Sequence, residues 1–448
     1  MTVSNEGRVN GGAVNGRIVG IVHRVKRKKD QAPRPTLVYI SDQKLGTIEK
    51  HELATEQEEL DFLNGRCPIA WRKCTPDEPC VDQKIEHQTI FCAAKEGDAL
   101  VERQEWQCHY DVKKGTKKLV EVADKVPCHW IGLEHGDTVA MTLGGSGDYF
   151  AFALSRKLGD MQGQVIRIPP FMLDKHRGNA SKDCDAELLV KLACEHRDEF
   201  YFTIAPDRQI IKLRNAYHYR MDVMKERIAC EQRLFQRTRG DIFCNEEGLF
   251  PEGSLIKEFE RRKASDVILQ ANLAEEAIAE KALKNAVEVL DVWNEVFADI
   301  DGIGYKIAAR IISSVIDIRR FEKPSQLAAF LGVHVLKDGR FPRRRNGELA
   351  NWHPDGRQAL YLFADQLVRQ KDRTKWGRYF LARKAALRVI HPVVEVDEKS
   401  KKKYTDGHIH KMAIWRTLTR FAEYLHREWW KLADAAAKGT DQKACKAA

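Results

Sequence analysis

The chain has 448 residues, of which 43% are hydrophobic and 31% charged, and 75 Lys and Arg against 65 Asp and Glu give a formal net charge of +10. This balance is typical of soluble globular proteins, and the length predicts two or three domains because it exceeds what one core usually holds. No apolar run approaches the roughly 18 residues of a membrane-spanning helix, which excludes that class of protein. Residues 1–16 lack the apolar core and cleavage site of a signal peptide, so they predict a disordered lead-in to a cytoplasmic protein.

Residues 17–205 alternate between strand and helix patterns, which predicts an α/β domain. The predicted strands are RIVGIVHRV from Arg17, PTLVYI from Pro35, residues 88–93, Thr138–Thr142 and Gln164–Ile168. The predicted helices cover residues 55–64, 149–158 and 186–195, and the first opens with a Thr-x-x-Glu capping box at Thr55 and Glu58. The strand-helix-strand order at 138–168 predicts a parallel pair of strands.

Six of the eleven cysteines fall within a predicted insertion at about residues 67–130. They are Cys67, Cys74, Cys80, Cys92, Cys108 and Cys128, and His109 and His129 directly follow the last two. A zinc site is one interpretation, but the sequence contains no CxxC pair, and adjacent Cys-His pairs seldom face one ion. Reduced structural thiols are the favoured interpretation, because disulfides are rare in cytosolic proteins.

Residues 206–298 carry two long helical patterns split by a loop at 240–253, which predicts an antiparallel helical hairpin or coiled coil. The first arm is basic, with Arg214, Arg220, Lys225, Arg227, Arg233, Arg237 and Arg239. Contact with nucleic acid and a solvated helix face are both open interpretations, and the solvated face is favoured for most of these residues.

The segment Asp301-Gly302-Ile303-Gly304 lies between helical patterns at 287–298 and 306–315, which predicts a helix-hairpin-helix motif. Two glycines one residue apart allow backbone N–H groups at the start of the second helix to bind a phosphate oxygen without reading a base. Lys306 and Arg310 are predicted to flank the same phosphate track. A plain helix turn with solvated side chains is the alternative, and it would be favoured if the motif stood alone.

Residues 319–388 hold 17 Lys or Arg against 6 Asp or Glu, an excess that accounts for the whole net charge of the chain. The predicted phosphate contacts here are Arg343, Arg344 and Arg345, in a Gly/Pro/Asn-containing loop, and Arg357. The interleaved aromatic residues Trp352, Trp376, Tyr379 and Phe380 predict stacking on unpaired nucleotides. A solvated charged face explains single basic residues, but it explains a one-sided cluster beside a phosphate-binding hairpin poorly.

The run GIGYKIAARIISSVIDIRRFEKPSQLAAFLGV, followed by the Arg-rich loop and RQALYLFADQL, resembles the C-terminal domain of the IS110 (IS110/IS116/IS902-type) family of DEDD transposases. Families of DNA repair proteins share the hairpin, but the continuation from Asp317 to Gly332 is typical of these transposases. The resemblance places a helix-hairpin-helix transposase domain at 299–394, followed by a charged linker and terminal helix at 395–448.

The resemblance also implies a ribonuclease-H-like (RuvC-like) domain at 17–205 with four carboxylates that hold Mg²⁺ against the DNA backbone. The family's first Asp falls on Val22 and its Glu on Gly144, and neither residue can bind metal. The last two acids resemble Asp183 and Asp185, which become the predicted catalytic and metal-binding residues. Alternatively, Asp183 caps the helix at 186–195 and Asp185 lies in its first turn, and both interpretations stay open.

Other acids and hydroxyls are candidates where family residues are missing. The sequence brings Asp82, Asp137 and Asp148 nearest to the lost carboxylates. The family's nucleophilic Ser would lie in the loop after AAFLG, but no Ser occurs between Ser325 and Ser400. Tyr361 and Thr374 are candidate replacements, although core packing or capping explains them as well.

The terminal helix is predicted to start at Thr405-Asp406 and to bury one stripe of its surface. The stripe contains His408, Ile409, Met412, Trp415, Leu418, Phe421 and Ala422. His408 and His410 face different sides of the helix, which makes them a poor metal-binding pair.

The sequence therefore predicts an α/β plus all-α protein: a ribonuclease-H-like domain, a long helical hairpin and a helix-hairpin-helix domain. The resemblance implies DNA and a structured guide RNA as partners, homo-oligomers formed through the helical hairpin, and Mg²⁺ as cofactor. Three functions stay open: a transposase or recombinase of a mobile element, a transposase-derived nucleic-acid-binding protein without strand cleavage, and a repair-type DNA-binding protein.

Overall fold

The computed structural model describes residues 16–23, 34–42, 45–73, 86–92, 106–108, 118–250, 252–336, 340–344, 350–392 and 404–447. Residues 1–15 of the predicted lead-in, most of the predicted linker and Arg345 lie outside this part of the chain. The protein is mixed α/β, and helices make up most of its described residues.

The strands of the described ranges form two sheets. They are β1 (Arg17–Val22), β2 (Thr36–Asp42), β3 (Thr47–Leu53), β4 (Cys67–Lys73), β5 (Glu86–Cys92), β6 (Trp106–Cys108), β7 (Lys118–Ile131), β8 (Thr138–Thr142), β9 (Gln164–Ile168) and β10 (Tyr201–Phe202). The first sheet has the order β10-β9-β8-β1-β2-β3, in which β1, β8 and β9 are parallel and the other pairs antiparallel. The predicted parallel pair β8-β9 is therefore confirmed.

The second sheet is built from the segment predicted as an insertion. Its order is β4-β7-β5, with β6 also paired to β7, and all of these pairs are antiparallel. The strand predicted at 88–93 is thus β5 of this separate sheet and does not extend the first one. Antiparallel pairing of distant segments, such as Cys67 opposite Ile131, leaves no local sequence signal.

The helices predicted at 55–64, 149–158 and 186–195 lie within two residues of helices in the structure, and the described ranges contain twelve α-helices. They are α1 (Glu56–Leu63), α2 (Asp148–Asp160), α3 (Pro170–Arg177), α4 (Asp185–Glu195), α5 (Ala205–Phe243), α6 (Leu255–Ser265), α7 (Val267–Glu288), α8 (Tyr305–Val315), α9 (Pro324–Phe330), α10 (Pro354–Gln370), α11 (Lys375–Ile390) and α12 (Asp406–Ala447). Thr55 caps α1 by accepting a hydrogen bond from the Glu58 N–H, as predicted. The Glu58 carboxylate accepts from the Ala54 N–H instead of the N–H of the cap residue.

Strand β1 is covered on both faces, which explains its continuous apolar sequence. Val19 and Ile21 belong to the core beneath α1 and α2, whereas Ile18 belongs to the core beneath α4. Gly20 allows α4 to approach closely, because a Cβ atom there would lie 2.1 Å from the Ala186 carbonyl oxygen. This contact fixes the start of α4 beside the centre of the sheet.

Helices α5 and α7 form the predicted antiparallel hairpin. Arg227 on α5 bonds to Glu276 at 2.7 Å, and further along α5 the Arg237 guanidinium lies 3.5 Å from Asp266, so the pairing runs in opposite directions along the two helices. The second arm is broken where the sequence predicts one run: α6 ends at Ser265, and the Asp266 side chain caps α7 by accepting from the Leu269 N–H. A π-helical turn at Trp293–Phe297 follows α7.

The base of this hairpin and the C-terminal helices share one hydrophobic core. It joins Leu213 of α5, Val287 at the end of α7, Ile312 of α8, Leu360 of α10 and Leu418 of α12. The predicted stripe on α12 is buried at Ile409, Trp415, Leu418, Phe421 and Ala422. His408 is an exception because it is exposed in the first turn, where its N–H donates to the Thr405 hydroxyl.

Candidate functional site

The two acids predicted as metal ligands lie at the start of α4 in different surroundings. Asp185 is 5% exposed and accepts hydrogen bonds from Arg177 Nε at 2.5 Å and Nη2 at 2.8 Å. The hydrogen bond to Asp185 is the main cause that raises the pKa of Arg177. Asp183 is exposed and accepts from Ser181 Oγ at 3.0 Å and from Arg34 Nη1 at 3.3 Å. Both carboxylates are therefore bonded to guanidinium groups, whereas a hard divalent cation needs oxygen ligands free to face it.

The alternative prediction, that Asp183 caps α4 and Asp185 lies in its first turn, agrees with the structure only for Asp185. Asp185 does lie in the first turn of α4, but no side chain caps that helix at Cys184. Ser181 instead caps the short 3₁₀ turn Lys182–Cys184 by accepting from the Asp183 N–H. Asp183 is thus neither a helix cap nor part of a cluster of acids.

The two positions where the family acids are missing are filled by other groups. Val22 packs against the core between the sheet and α4. Gly144 has φ +80°, and a Cβ atom there would lie 2.5 Å from Arg320 Nε and 2.6 Å from Arg320 Cδ. A guanidinium therefore occupies the space into which a Glu side chain at this position would extend.

Asp148, the nearest substitute acid, is fully buried in an arginine cluster. Its carboxylate bonds to Arg167 Nη2 and, at 3.0 Å, to Arg214 Nη1, which also donates to the Gly145 carbonyl at 3.2 Å. Arg320 also belongs to this cluster. Burial is the main cause that lowers the pKa of Arg320; the nearby Asp148 carboxylate raises this pKa, and the positive charges of Arg167 and Arg214 lower it further. Its Nη1 donates to the Val315 carbonyl at 2.8 Å, and within the described chain its buried Nε has no partner.

This cluster of Arg167, Arg214, Arg320 and Asp148 was not predicted. Arg167 did leave a signal, because an arginine inside the buried strand QVIRI needs a buried carboxylate partner. Asp137, the other described substitute acid, is bonded to Arg17 at 3.0 and 2.8 Å. Asp82 lies outside the described residues.

The described residues do not fit a magnesium site. Across the described ranges, no group of three or more His, Cys, Asp or Glu is placed to hold a metal ion. The same applies to zinc among the described cysteines: Cys67 is a free buried thiol whose pKa burial raises to about 11, and Cys128 is also free. Cys74, Cys80 and the side chains of Cys92 and Cys108 lie outside the description.

The predicted hairpin is a tight turn that places Gly304 as the N-cap of α8. Gly302 adopts φ +88°, the left-handed region that favours glycine, whereas Gly304 has extended backbone with φ −79°. Lys306 is exposed and lies 2.6 Å from Glu280 of α7, which also accepts a hydrogen bond from the Tyr305 hydroxyl at 2.7 Å. The charge of Lys306 is therefore paired within the chain.

Arg310, predicted to flank a phosphate, lies inside the protein against α5. Arg310 is buried, its Nε donates to the Tyr217 hydroxyl at 2.8 Å, and its guanidinium lies 5.8 Å from the Tyr217 ring centroid. It faces α5 and not the surface that carries Lys306. Because Arg310 follows Lys306 by one helical turn, the spacing alone predicted that both side chains lie on the same face of α8.

The basic loop presents Arg343 and Arg344 to solvent. Arg357 is not a free surface charge but lies among aromatic rings, 4.1 Å from the Trp352 centroid and 5.0 Å from that of Trp415. Its Nη2 donates to the Pro342 carbonyl at 2.9 Å. Arg357 therefore positions the backbone directly before Arg343.

The aromatic residues predicted to stack on nucleotides separate into core and surface. Trp376 and Phe380 are buried, Trp352 is half-buried under Arg357, and Tyr379 is 38% exposed. The candidate replacements for the serine nucleophile have structural roles: Thr374 is buried and caps α11 by accepting from the Gly377 N–H, and Tyr361 packs edge-on against Trp415.

The basic residues of α5 mostly pair within the hairpin. Arg220 and Arg227 both bond to Glu276, and Arg237 lies near Asp266, while Lys225 is exposed. None of the helices in the described ranges combines the length and apolar character needed to cross a membrane.

Helices α8 to α10, the turn before α8 and the basic loop fall together in one family match. Residues 294–380 match the model of the family described as Transposase IS116/IS110/IS902 family. This part of the chain is therefore similar to that transposase family. The transposase match contains Gly302, Gly304, Lys306, Arg343 and Arg357, and it confirms the resemblance found in the sequence. The sheet, the hairpin of α5 to α7, and α12 lie outside the transposase match, and no curated protein matches the chain.

Proposed function

We propose that this protein is encoded by a mobile element and binds DNA through the segment that matches the transposase family. We further propose that it does not cleave DNA with the four-carboxylate magnesium site of that family. One observation carries the second part of the proposal: the Arg320 side chain fills the space beside Gly144. A guanidinium at the position of a metal-binding Glu repels a divalent cation and blocks the side chain that would bind it.

Electrostatics support the DNA-binding part. The segment 319–388 holds an excess of basic residues, and Arg343 and Arg344 reach solvent from a loop whose backbone Arg357 fixes. Exposed basic residues also occur at the junction of α10 and α11, at Arg369, Lys371, Arg373, Lys375 and Arg378. Contacts of such residues to phosphates release counterions and supply affinity that does not depend on sequence.

The strand order supports a ribonuclease-H-like fold for the first sheet. An antiparallel run β1-β2-β3 is followed by two parallel strands, β8 and β9, added on the other side of β1, with α2 between them. In this proposal, the domain retains the framework of a nuclease but not its acids. Asp148, the substitute nearest to Gly144, is neutralised by Arg167 and Arg214.

The roles implied for the helical hairpin stay proposals. Large apolar side chains are exposed along α6 and α7, including Ile256, Val267, Ile268 and Ile278, which supports self-association through this element. A structured guide RNA would be a second ligand for the basic surfaces, and the chemistry of phosphate binding is the same for both nucleic acids. Of the alternatives, a repair-type protein has less support because residues 294–380 match a transposase family model.

A salt titration of duplex DNA binding tests the DNA-binding part. Replacing Arg343 and Arg344 with Ala in the full-length protein is expected to weaken binding and to reduce the slope of log K against log salt by about 2, since each lost phosphate contact contributes about 0.9. The matched control is Lys257→Ala with Arg261→Ala, which removes two exposed positive charges from α6. An unchanged affinity and slope in the loop variant would show that the loop is only a solvated surface.

A further inference from the structure

A groove between α11 and α12 combines positive charge with aromatic rings. Helix α11 contributes Lys375, Arg378 and Tyr379, and α12 contributes Arg420, Tyr424 and Arg427. Of the eight described residues that line the groove, none is acidic. The transposase match ends at residue 380, so one wall of the groove belongs to the family domain and the other lies beyond it.

The four basic residues of the groove are exposed, and several are held in place. Lys375 Nζ lies 5.1 Å from the centroid of the Tyr424 ring, and Arg378 Nη1 donates to the Asp372 carbonyl at 3.2 Å. Arg420 bonds to Glu423 at 2.8 Å, which neutralises part of its charge. The remaining excess is positive and concentrated along both walls.

The aromatic rings are ordered by a buried anchor. The Trp376 ring packs in the core against Phe421 at 5.1 Å, and it contacts Tyr379 at 5.9 Å and Tyr424 at 5.5 Å on the two walls. Tyr379 is exposed and Tyr424 half-buried, and burial is the main cause that raises the pKa of Tyr424. The rings of Tyr379 and Tyr424 therefore face the groove in fixed positions, so binding a ligand there would cost little further side-chain entropy.

We infer that this groove binds unpaired nucleotides, in single-stranded DNA or in an unpaired segment of RNA. This inference rests on the proposed nucleic-acid-binding function and adds a second ligand class to it. Base stacking on Tyr requires an exposed base face, which a duplex does not offer, and the cations track the backbone beside the stacked bases. An acidic protein segment would use the cations but would leave the aromatic rings without a partner.

Fluorescence anisotropy with labelled homopolymers tests the inference on the full-length protein. The probes are oligo(dT) and oligo(rU) of about 15 nucleotides, which cover one typical single-strand site, and a mixed-sequence duplex of the same length. Tyr379→Ala is expected to weaken binding of both single-stranded probes roughly 5- to 150-fold, the loss of one stacked base, and Tyr379→Phe is expected to restore it. Duplex affinity is expected to stay unchanged in both variants.

Two further variants complete the test. Tyr219→Ala removes a tyrosine of similar exposure from α5, and it is expected to leave the affinity for oligo(dT) unchanged. Arg427→Gln is expected to lower the salt slope for oligo(dT) by about 0.7, the contribution of one phosphate on a single strand. The comparison of oligo(dT) with oligo(rU) distinguishes DNA from RNA as the source of the unpaired nucleotides.

The outcomes separate this inference from the proposed function. If Tyr379→Ala binds oligo(dT) and oligo(rU) as tightly as Tyr219→Ala does, while Arg343 and Arg344 still govern duplex binding, the groove is not the single-strand site and the proposed function stands. If the protein binds none of the probes, both fail. Displacement of oligo(dT) by an equal concentration of poly-glutamate would overturn the inference in favour of an acidic protein partner.

Discussion

Replacing Asp183 or Asp185 with Ala distinguishes a structural role of each carboxylate from a metal-binding one. Asp185 forms an ion pair with Arg177 in which both side chains are largely buried, so Asp185→Ala leaves the Arg177 guanidinium with only the exposed Asp174 as its partner. Breaking such a pair is expected to lower the free energy of unfolding by about 3–5 kcal/mol. Asp183→Ala removes an exposed carboxylate and is expected to change it by no more than about 0.5 kcal/mol. Urea unfolding of the two variants beside the wild type measures both values.

The same two variants test the magnesium site. A metal that binds only the folded protein raises its stability, so a true site would make the unfolding midpoint increase with added Mg²⁺. We expect no such increase in the wild type, and no Mg²⁺-dependent cleavage of the element's own end sequences. Robust cleavage that Asp183→Ala abolishes without a loss of stability would contradict this expectation and would restore Asp183 as a metal ligand.

The arginines explain why the site was only partly predictable at the residue scale. Of the basic residues at 319–388, Arg319 bonds to Asp317 and Asp207, Arg320 lies over Gly144, and Arg357 lies among aromatic rings. A count of charges treats these like the exposed Arg343 and Arg344. Only tertiary packing distinguishes a buried guanidinium, which orders the protein, from an exposed one, which can reach a phosphate.

At the scale of elements, substitutions of Gly302 and Gly304 test which residue of the turn before α8 requires glycine, and each variant is the control for the other. Gly302 needs its left-handed backbone, and a Cβ atom there would also lie 3.0 Å from the Gln366 Cβ. Gly302→Ala is therefore expected to cost about 1–2 kcal/mol of stability. Gly304 has an ordinary φ and open space at its Cβ position, so Gly304→Ala is expected to change stability by less than about 0.5 kcal/mol.

Thermal unfolding of the two hairpin variants measures this difference. An equal loss of stability in both would show that the turn has a different strained residue. If duplex binding falls in Gly304→Ala while its stability is unchanged, the exposed start of α8 contacts DNA as the sequence predicts. Unchanged binding would limit the role of the hairpin to folding.

Elements were predictable where local pattern and tertiary contact agree. Strands β8 and β9 match their predicted bounds because short apolar runs end at turn residues on both sides. The break at Asp266 was missed, although an Asp before an apolar run is a helix-start signal. The second sheet could not be derived, since its strands pair across segments that carry no periodic signal in common.

At the scale of the whole molecule, the C-terminal domain is attached to the sheet through its arginines. Arg319 bonds to Asp207 at the start of α5 and lies 4.6 Å from the Tyr201 ring of β10, while Arg320 covers the loop after β8. The position that family resemblance marks for a metal is thus an internal contact between two parts of the chain. The sequence around Gly144 or around Arg320 does not predict this contact, because it forms only when both parts of the chain have folded.

Three histidines of the C-terminal part of the chain, of which His426 is buried and His334 and His353 are half-buried, make the stability of the protein depend on pH. Burial is the main cause that lowers the pKa of His334, His353 and His426 below the ordinary value of 6.5. His426 is 5% exposed, and its Nε2 lies 2.8 Å from the Phe321 carbonyl oxygen, which a neutral ring can satisfy as a donor. As pH falls below 6.5, the unfolded chain takes up protons that the folded chain does not, so the free energy of unfolding decreases.

We therefore expect the free energy of unfolding to fall as pH decreases below about 6.5, with His426 contributing part of that fall. Urea unfolding across this range measures the slope. His426→Gln keeps a donor near the Phe321 carbonyl but does not titrate, so its free energy of unfolding should fall less steeply with decreasing pH than that of the wild type. His135→Gln changes an exposed histidine and is the control. If both variants show the wild-type slope, protonation of His426 does not limit stability, and the acid sensitivity arises in another part of the protein.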